Sequence, residues 1–109
     1  MNTSPPALQR DTLLTLLFPA DVEDVVIDHL LAHPEWASGF TCAQVDGHGA
    51  ALQPRDPAER VRGRSRRFQV QIALAQAQAD ALIAHFRTEL ANPDVAYWTV
   101  SLTRFGRLS

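Results

Sequence analysis

The 109-residue chain has no lysine: its ten basic residues are all arginine, set against twelve acidic ones, for a net charge of −2. That balance gives no bulk attraction to nucleic acid or to an anionic membrane. There is one cysteine, Cys42, which excludes an intrachain disulfide and fits a reducing compartment. No apolar run approaches the roughly 18 residues that a membrane span needs. Met1–Arg10 lacks the basic and apolar regions of a signal peptide. The expectation is a cytoplasmic protein without direct membrane insertion. Catalytic constellations are missing too. Ser4, Ser38, Ser65, Ser101 and Ser109 have no nucleophile elbow around them, and no carboxylate pair has acid–base spacing. Asp21, Glu23, Asp24 and Asp28 read as helix-start and solvated charges, so the chain is expected not to be an enzyme.

What is present is ordinary globular composition, 46% hydrophobic and 20% charged. The size fits one domain, residues 11–109, behind a tail of residues 1–10 that carries Ser4-Pro5-Pro6. Asp11–Phe18 is apolar on alternate positions of both parities, the pattern of a central strand, and Pro19 keeps it to strand length. Pro19-Ala20-Asp21 opens a helix with acidic residues at its positive end. Val22, Val25, Val26, Leu30 and Leu31 are its expected apolar stripe, and Pro34 stops it. Trp36 is expected on the sheet edge. Phe40–Val45 is a second strand. Arg67–Ala75 is the clearest one, with Phe68, Val70, Ile72 and Leu74 alternating against Gln69, Gln71 and Ala73. Gln76–Leu90 is a second helix with Ala79, Leu82, Ile83, Phe86 and Leu90 inward and His85 off the stripe, hence exposed. Asn92-Pro93 ends it, and Asp94–Leu102 is the last strand.

The order strand, helix, strand, strand, helix, strand predicts an α+β, ferredoxin-like βαββαβ fold. It is a four-stranded antiparallel sheet with two helices on one face and a long loop between strands 2 and 3. The other face would carry Leu or Thr from the first strand, glutamines, and either Tyr97 or Trp98. An apolar face of that kind needs a cover, and a symmetric oligomer supplies one.

The polar loop holds the residues with most chemical interest. Gly47-His48-Gly49 breaks the second strand, and two glycines free backbone N–H groups to approach an anion. Six arginines (Arg55, Arg60, Arg62, Arg64, Arg66 and Arg67) fall on its return limb, and guanidinium groups bind carboxylate and phosphate in a planar, bidentate manner. An anion site and a solvated loop whose arginines pair with Asp46, Asp56 and Glu59 both fit this pattern. For a metal, His48 is the first candidate. His29 and His33 stand one helical turn apart, a ligand spacing, but no third ligand is near them in sequence, which favours packing. Cys42 is expected as a buried structural thiol. RNA binding ranks last, because the third strand lacks the glycine-and-aromatic signature of RNA-binding sheets.

From Gly39 onward the chain resembles the PII signal-transduction superfamily. Gly39-Phe40-Thr41, Val45 and Gly47-His48-Gly49 match the start of its second strand and the base of its T-loop. Arg62-Gly63 matches the loop's return, and the order of elements agrees over Asp11–Leu102. More closely, the chain is similar to a small PII-like branch encoded in bacteria beside heavy-metal efflux pumps. Ser38–Thr41, Gly47–Gly49, Val61–Arg67 and Tyr97-Trp98 carry that likeness. The resemblance implies a homotrimer with inter-subunit clefts, an effector that reshapes the T-loop, and a partner such as an efflux-pump component. The implied cleft and loop residues are Gly39, Thr41, Gly47, His48, Gly49, Arg62, Gly63, Arg64 and Arg66. The resemblance implies a small effector, and an adenine nucleotide, another anion and a divalent metal ion are the alternatives for it. Two departures bear on this. Leu90-Ala91-Asn92-Pro93-Asp94 stands where nucleotide-binding members have a glycine-rich B-loop, which argues against ATP. No tyrosine lies between Gly49 and Arg67 to match the one modified in some members.

Overall fold

The computed structural model describes residues 9–48 and 65–108. Its elements follow in the expected order. Strand β1 (Thr12–Pro19) leads through a 3-10 turn (Ala20–Val22) into helix α1 (Glu23–Ala32). Strands β2 (Thr41–Gly47) and β3 (Ser65–Leu74) come next, then helix α2 (Gln76–Glu89) and strand β4 (Ala96–Ser101). The sheet order is β2-β3-β1-β4, and each neighbouring pair is antiparallel. The split βαβ topology read from the sequence is therefore the topology of the molecule.

Alternation decides which side chains meet the helices. Leu14, Leu16 and Phe18 of β1 stand beside Val70, Ile72 and Leu74 of β3, and all six are buried. They pack under Val26 and Leu30 of α1 and Ala79, Leu82 and Phe86 of α2. Phe18 pairs with Phe68 across the ladder, and their rings stack at 6.3 Å. Burial of this kind contributes about 1.5–3 kcal/mol for each large apolar side chain, so these residues dominate the stability of the domain.

The α2 stripe is as expected, with Ile83 and Leu90 partly buried at its margins. The α1 stripe is narrower. Val25 is 44% exposed and Leu31 65% exposed, while Val22, Val26, Ile27 and Leu30 face the core. Steps of four hold one line along a helix, and Val25 and Leu31 fall on either side of the line 22–26–30. Asp21, Glu23 and Asp24 do occupy the opening turns, where negative charge offsets the helix dipole.

The start of α2 is anchored by one side chain of its own first turn and one from the start of the domain. The Ala75 backbone N–H donates to Gln78 Oε1 at 2.9 Å, and the Gln76 N–H donates to Asp11 Oδ1 at 3.1 Å. Gln78 Nε2 donates to the Glu35 carbonyl at 3.0 Å, which ties α2 to the turn after α1. These bonds satisfy donors that a helix start leaves open.

The second face of the sheet carries Leu13, Thr15 and Leu17 of β1, Gln69, Gln71 and Ala73 of β3, and Ala96, Trp98 and Val100 of β4. The register settles which aromatic lies there. Trp98 is opposite Thr15 and shares this face, whereas Tyr97 is opposite Leu16 and lies on the helix side.

Candidate functional site

The residues expected to form a cleft fall at two ends of one edge strand. Thr41 opens β2, and Gly47 closes it opposite Ser65. Six residue steps along the strand separate them, about 20 Å at the usual rise. Thr41 is exposed and in register with Gln71, whose Nε2 donates to Thr15 Oγ1 at 3.5 Å. Gly39 is exposed just before the strand, and a Cβ placed there would meet nothing within 4 Å. At the other end Gly47 is buried, His48 is exposed, and Arg66 is exposed in register with Asp46. Arg67, the next residue, is only 3% exposed and opposes Val45 and Pro19. The structure thus brings Gly47, His48 and Arg66 together and leaves Gly39 and Thr41 at the far end. Gly49, Arg62, Gly63 and Arg64 lie outside the described residues, as do Asp56, Glu59 and the 1–8 part of the tail.

Cys42 corrects its expectation: it is an exposed free thiol. It is in register with Val70 on the helix side, but β2 is the sheet's edge, and the helices cover β1 and β3. Partial desolvation, followed by the nearby Glu23 carboxylate, pushes its pKa up, so the thiolate is disfavoured.

A second correction concerns histidine. His85 is half-buried, and it meets His29 and His33 from the facing helix. His29 Nδ1 lies 3.2 Å from His85 Nε2, a hydrogen bond between imidazoles. The His33 and His85 ring centroids are 4.3 Å apart. The backbone explains the grouping. His29 and His33 share one side of α1, and the chain turns sharply after it, with the Trp36 and Ala37 N–H groups both donating to the His33 carbonyl at 3.0 Å. That turn folds Trp36 onto His33, rings stacked at 4.7 Å, rather than onto the sheet edge as expected. It also brings Glu35 Oε1 to 2.8 Å from His33 Nδ1. This hydrogen bond is the main reason the Glu35 carboxyl sits below the usual carboxylate range. Sequence spacing offered the α1 pair but no sign of His85, which is 56 residues from His29. Among the described residues, no three His, Cys, Asp or Glu side chains stand ready in a metal-holding arrangement.

The segment Leu90–Asp94 replaces a glycine-rich loop with a different feature. Leu90, Ala91, Asn92 and Pro93 wall a cavity of about 380 Å³ together with Leu16, Ile83, Phe86, Arg87, Val95 and Tyr97. Asn92 organises the turn. Its Oδ1 accepts from the Asp94 N–H at 2.9 Å, and its carbonyl accepts from the Val95 N–H at 3.1 Å. Arg87 Nη2 donates to the Tyr97 hydroxyl at 2.7 Å at the rim. The walls are mostly apolar, which suits an apolar group better than a triphosphate.

No helix among the described residues is long and apolar enough to cross a membrane. Residues 8–109 match a family described as a protein of unknown function, DUF3240. No curated protein matches the sequence. Among solved structures, a DUF3240 family protein from Shewanella baltica is 24% identical, with a TM-score of 0.69 over 94% of this chain and 100% of that one. CPII, a nitrogen regulatory PII-like protein from Thiomonas intermedia bound to ADP, AMP and bicarbonate, is 13% identical with a TM-score of 0.65, covering 89% of this chain and 93% of its own. A putative PII-like signalling protein from Thermus thermophilus is also 13% identical, with a TM-score of 0.59 over 84% of this chain and 85% of that one. The fold is that of PII-like proteins.

Proposed function

Since the chain belongs to the DUF3240 family, whose function is unknown, we propose that it is a PII-like regulator and not an enzyme. Three copies bury their helix-free sheet faces against one another in the cytoplasm. A small effector binds at the clefts between them, and the loop after β2 carries the signal to a partner. The observation behind this reading is the bare face itself, where Trp98 is 43% and Val100 48% exposed beside the half-buried Leu13 and Leu17. An apolar patch of that composition is the kind a partner surface covers, and a rotationally symmetric copy covers it without any second gene product.

The two-ended placement of Thr41 and Gly47 constrains the effector. A ligand that touches both must lie along β2, so it is elongated, with its anionic part toward Gly47, His48 and Arg66. A mononucleotide is shorter than the strand, so it would occupy the Gly47, His48 and Arg66 end through its phosphate without reaching Thr41. The similarity of Ser38–Thr41, Gly47–Gly49, Val61–Arg67 and Tyr97-Trp98 to the efflux-linked branch supports a pump component as the partner.

Native mass measurement at micromolar concentration tests the assembly. A species of three chains is the expected result, and a strict monomer overturns the reading. A thermal-shift screen of that same species against AMP, ADP, ATP and bicarbonate tests the effector. A saturating ligand raises the melting temperature by RT ln(1 + [L]/Kd). No shift with any of them removes the nucleotide from the proposal and leaves the assembly to stand on its mass.

A further inference from the structure

We propose that His29, His33 and His85 form a three-imidazole site for a divalent transition-metal ion of the zinc, copper or nickel class, with Glu35 as the group that orients His33. The site is independent of the effector cleft. It lies across the two helices, on the layer opposite the bare sheet face, so assembly through that face leaves it open.

Two observations point to a ligand rather than to ring packing alone. The first is the distance of 3.2 Å between His29 Nδ1 and His85 Nε2. Two nitrogens bound tetrahedrally to one zinc at about 2.0–2.1 Å stand about 3.3 Å apart. The gap is therefore already the right width, and it is held by a single shared proton. The second is the contact at 2.8 Å between His33 Nδ1 and Glu35 Oε1. Metal-binding histidines characteristically donate their second ring nitrogen to a carboxylate, which fixes the tautomer and makes the first nitrogen a better ligand. With Nδ1 engaged, His33 presents Nε2, on a ring 4.3 Å from that of His85 and braced by Trp36 at 4.7 Å.

As they stand, the rings do not aim at a common point, and two of them are hydrogen-bonded to each other. Binding exchanges that bond for two coordinate bonds. The proton between His29 and His85 moves to the outer nitrogen of its own ring, both facing nitrogens offer lone pairs, and His33 shifts to supply Nε2 as the third, with the exposed Glu35 following its Nδ1. Water fills the remaining position. Imidazole as the sole donor type suits zinc, copper or nickel better than magnesium or calcium, which prefer oxygen. Each ligand must be deprotonated at its donor nitrogen, so binding weakens in acid.

The test is calorimetric titration of untagged full-length protein with Zn²⁺ near neutral pH, followed by Co²⁺ as a spectroscopic probe. One zinc per chain and a tetrahedral cobalt spectrum are expected. His85→Gln and His29→Gln should each weaken zinc binding by at least the about 10–100-fold expected for Glu35→Gln. His48→Ala should leave it unchanged. Melting in EDTA shows that each variant is folded, and the glutamine substitutions keep much of the ring's bulk. No zinc binding, binding that survives both His→Gln changes, or binding lost in His48→Ala overturns the proposal. None of these results bears on the mass of the assembly.

Discussion

The two faces of this sheet are built from the same strands and end differently. On one, Leu14, Leu16 and Phe18 disappear under α1 and α2. On the other, Leu13 and Leu17 of the same strand remain half-buried beside an exposed Trp98. Both faces are apolar along β1, so composition does not separate them. The helices do, because a βαββαβ chain with right-handed connections places both crossovers on one side. The chain finishes one core by itself and leaves a second apolar face uncovered, the face that the proposed assembly would bury.

The strongest way to probe that contrast is a matched pair of truncations. Leu82→Ala, on the covered side, empties space in a core where Leu82 is fully buried. It should cost about 2–5 kcal/mol of unfolding free energy and lower the melting temperature of monomer and assembly alike. Trp98→Asp, on the bare side, should leave the folded chain intact by circular dichroism and abolish the three-chain species in native mass measurement. If Trp98→Asp unfolds the chain instead, the two faces are one core and the contrast fails.

How much of this was legible beforehand follows the range of each signal. β3 and α2 were readable because their alternation and stripe are local: Val70, Ile72 and Leu74, then Ala79, Leu82 and Phe86, sit where period alone puts them. The centrality of β1 was readable because both parities are apolar. The choice between Tyr97 and Trp98 was not, since a one-residue change of register exchanges the faces, and only the pairing of Trp98 with Thr15 decides it. The histidine cluster was half-legible. His29 and His33 announce themselves by spacing, but His85 joins them through a helix–helix contact that no sequence window spans. Val25 and Leu31 misled because an apolar residue at the margin of a stripe costs little to expose. Of the arginine cluster, the structure describes Arg66 and Arg67, which prove to be strand residues, one exposed and one buried.

Cys42 supplies the finest test, because it shows where the covered face stops. By register it belongs with Val70 beneath the helices, yet it is exposed at the β2 edge, with Glu23 at the head of α1 close enough to act on it. Accessibility and reactivity should therefore part company. At neutral pH Cys42 should react with iodoacetamide in every folded molecule, but more slowly than a cysteine in an unstructured peptide, because the thiolate is the nucleophile and its formation is opposed first by desolvation and then by Glu23. Glu23→Gln removes the smaller of the two causes, so the rate should rise yet stay below the peptide's, because desolvation remains. A rate equal to the peptide's would mean that the helix layer has no reach over β2 at all. A rate that vanishes would mean that the edge is covered after all, and that a neighbouring copy or the loop beyond Gly47 closes the side of the sheet that the helices leave open.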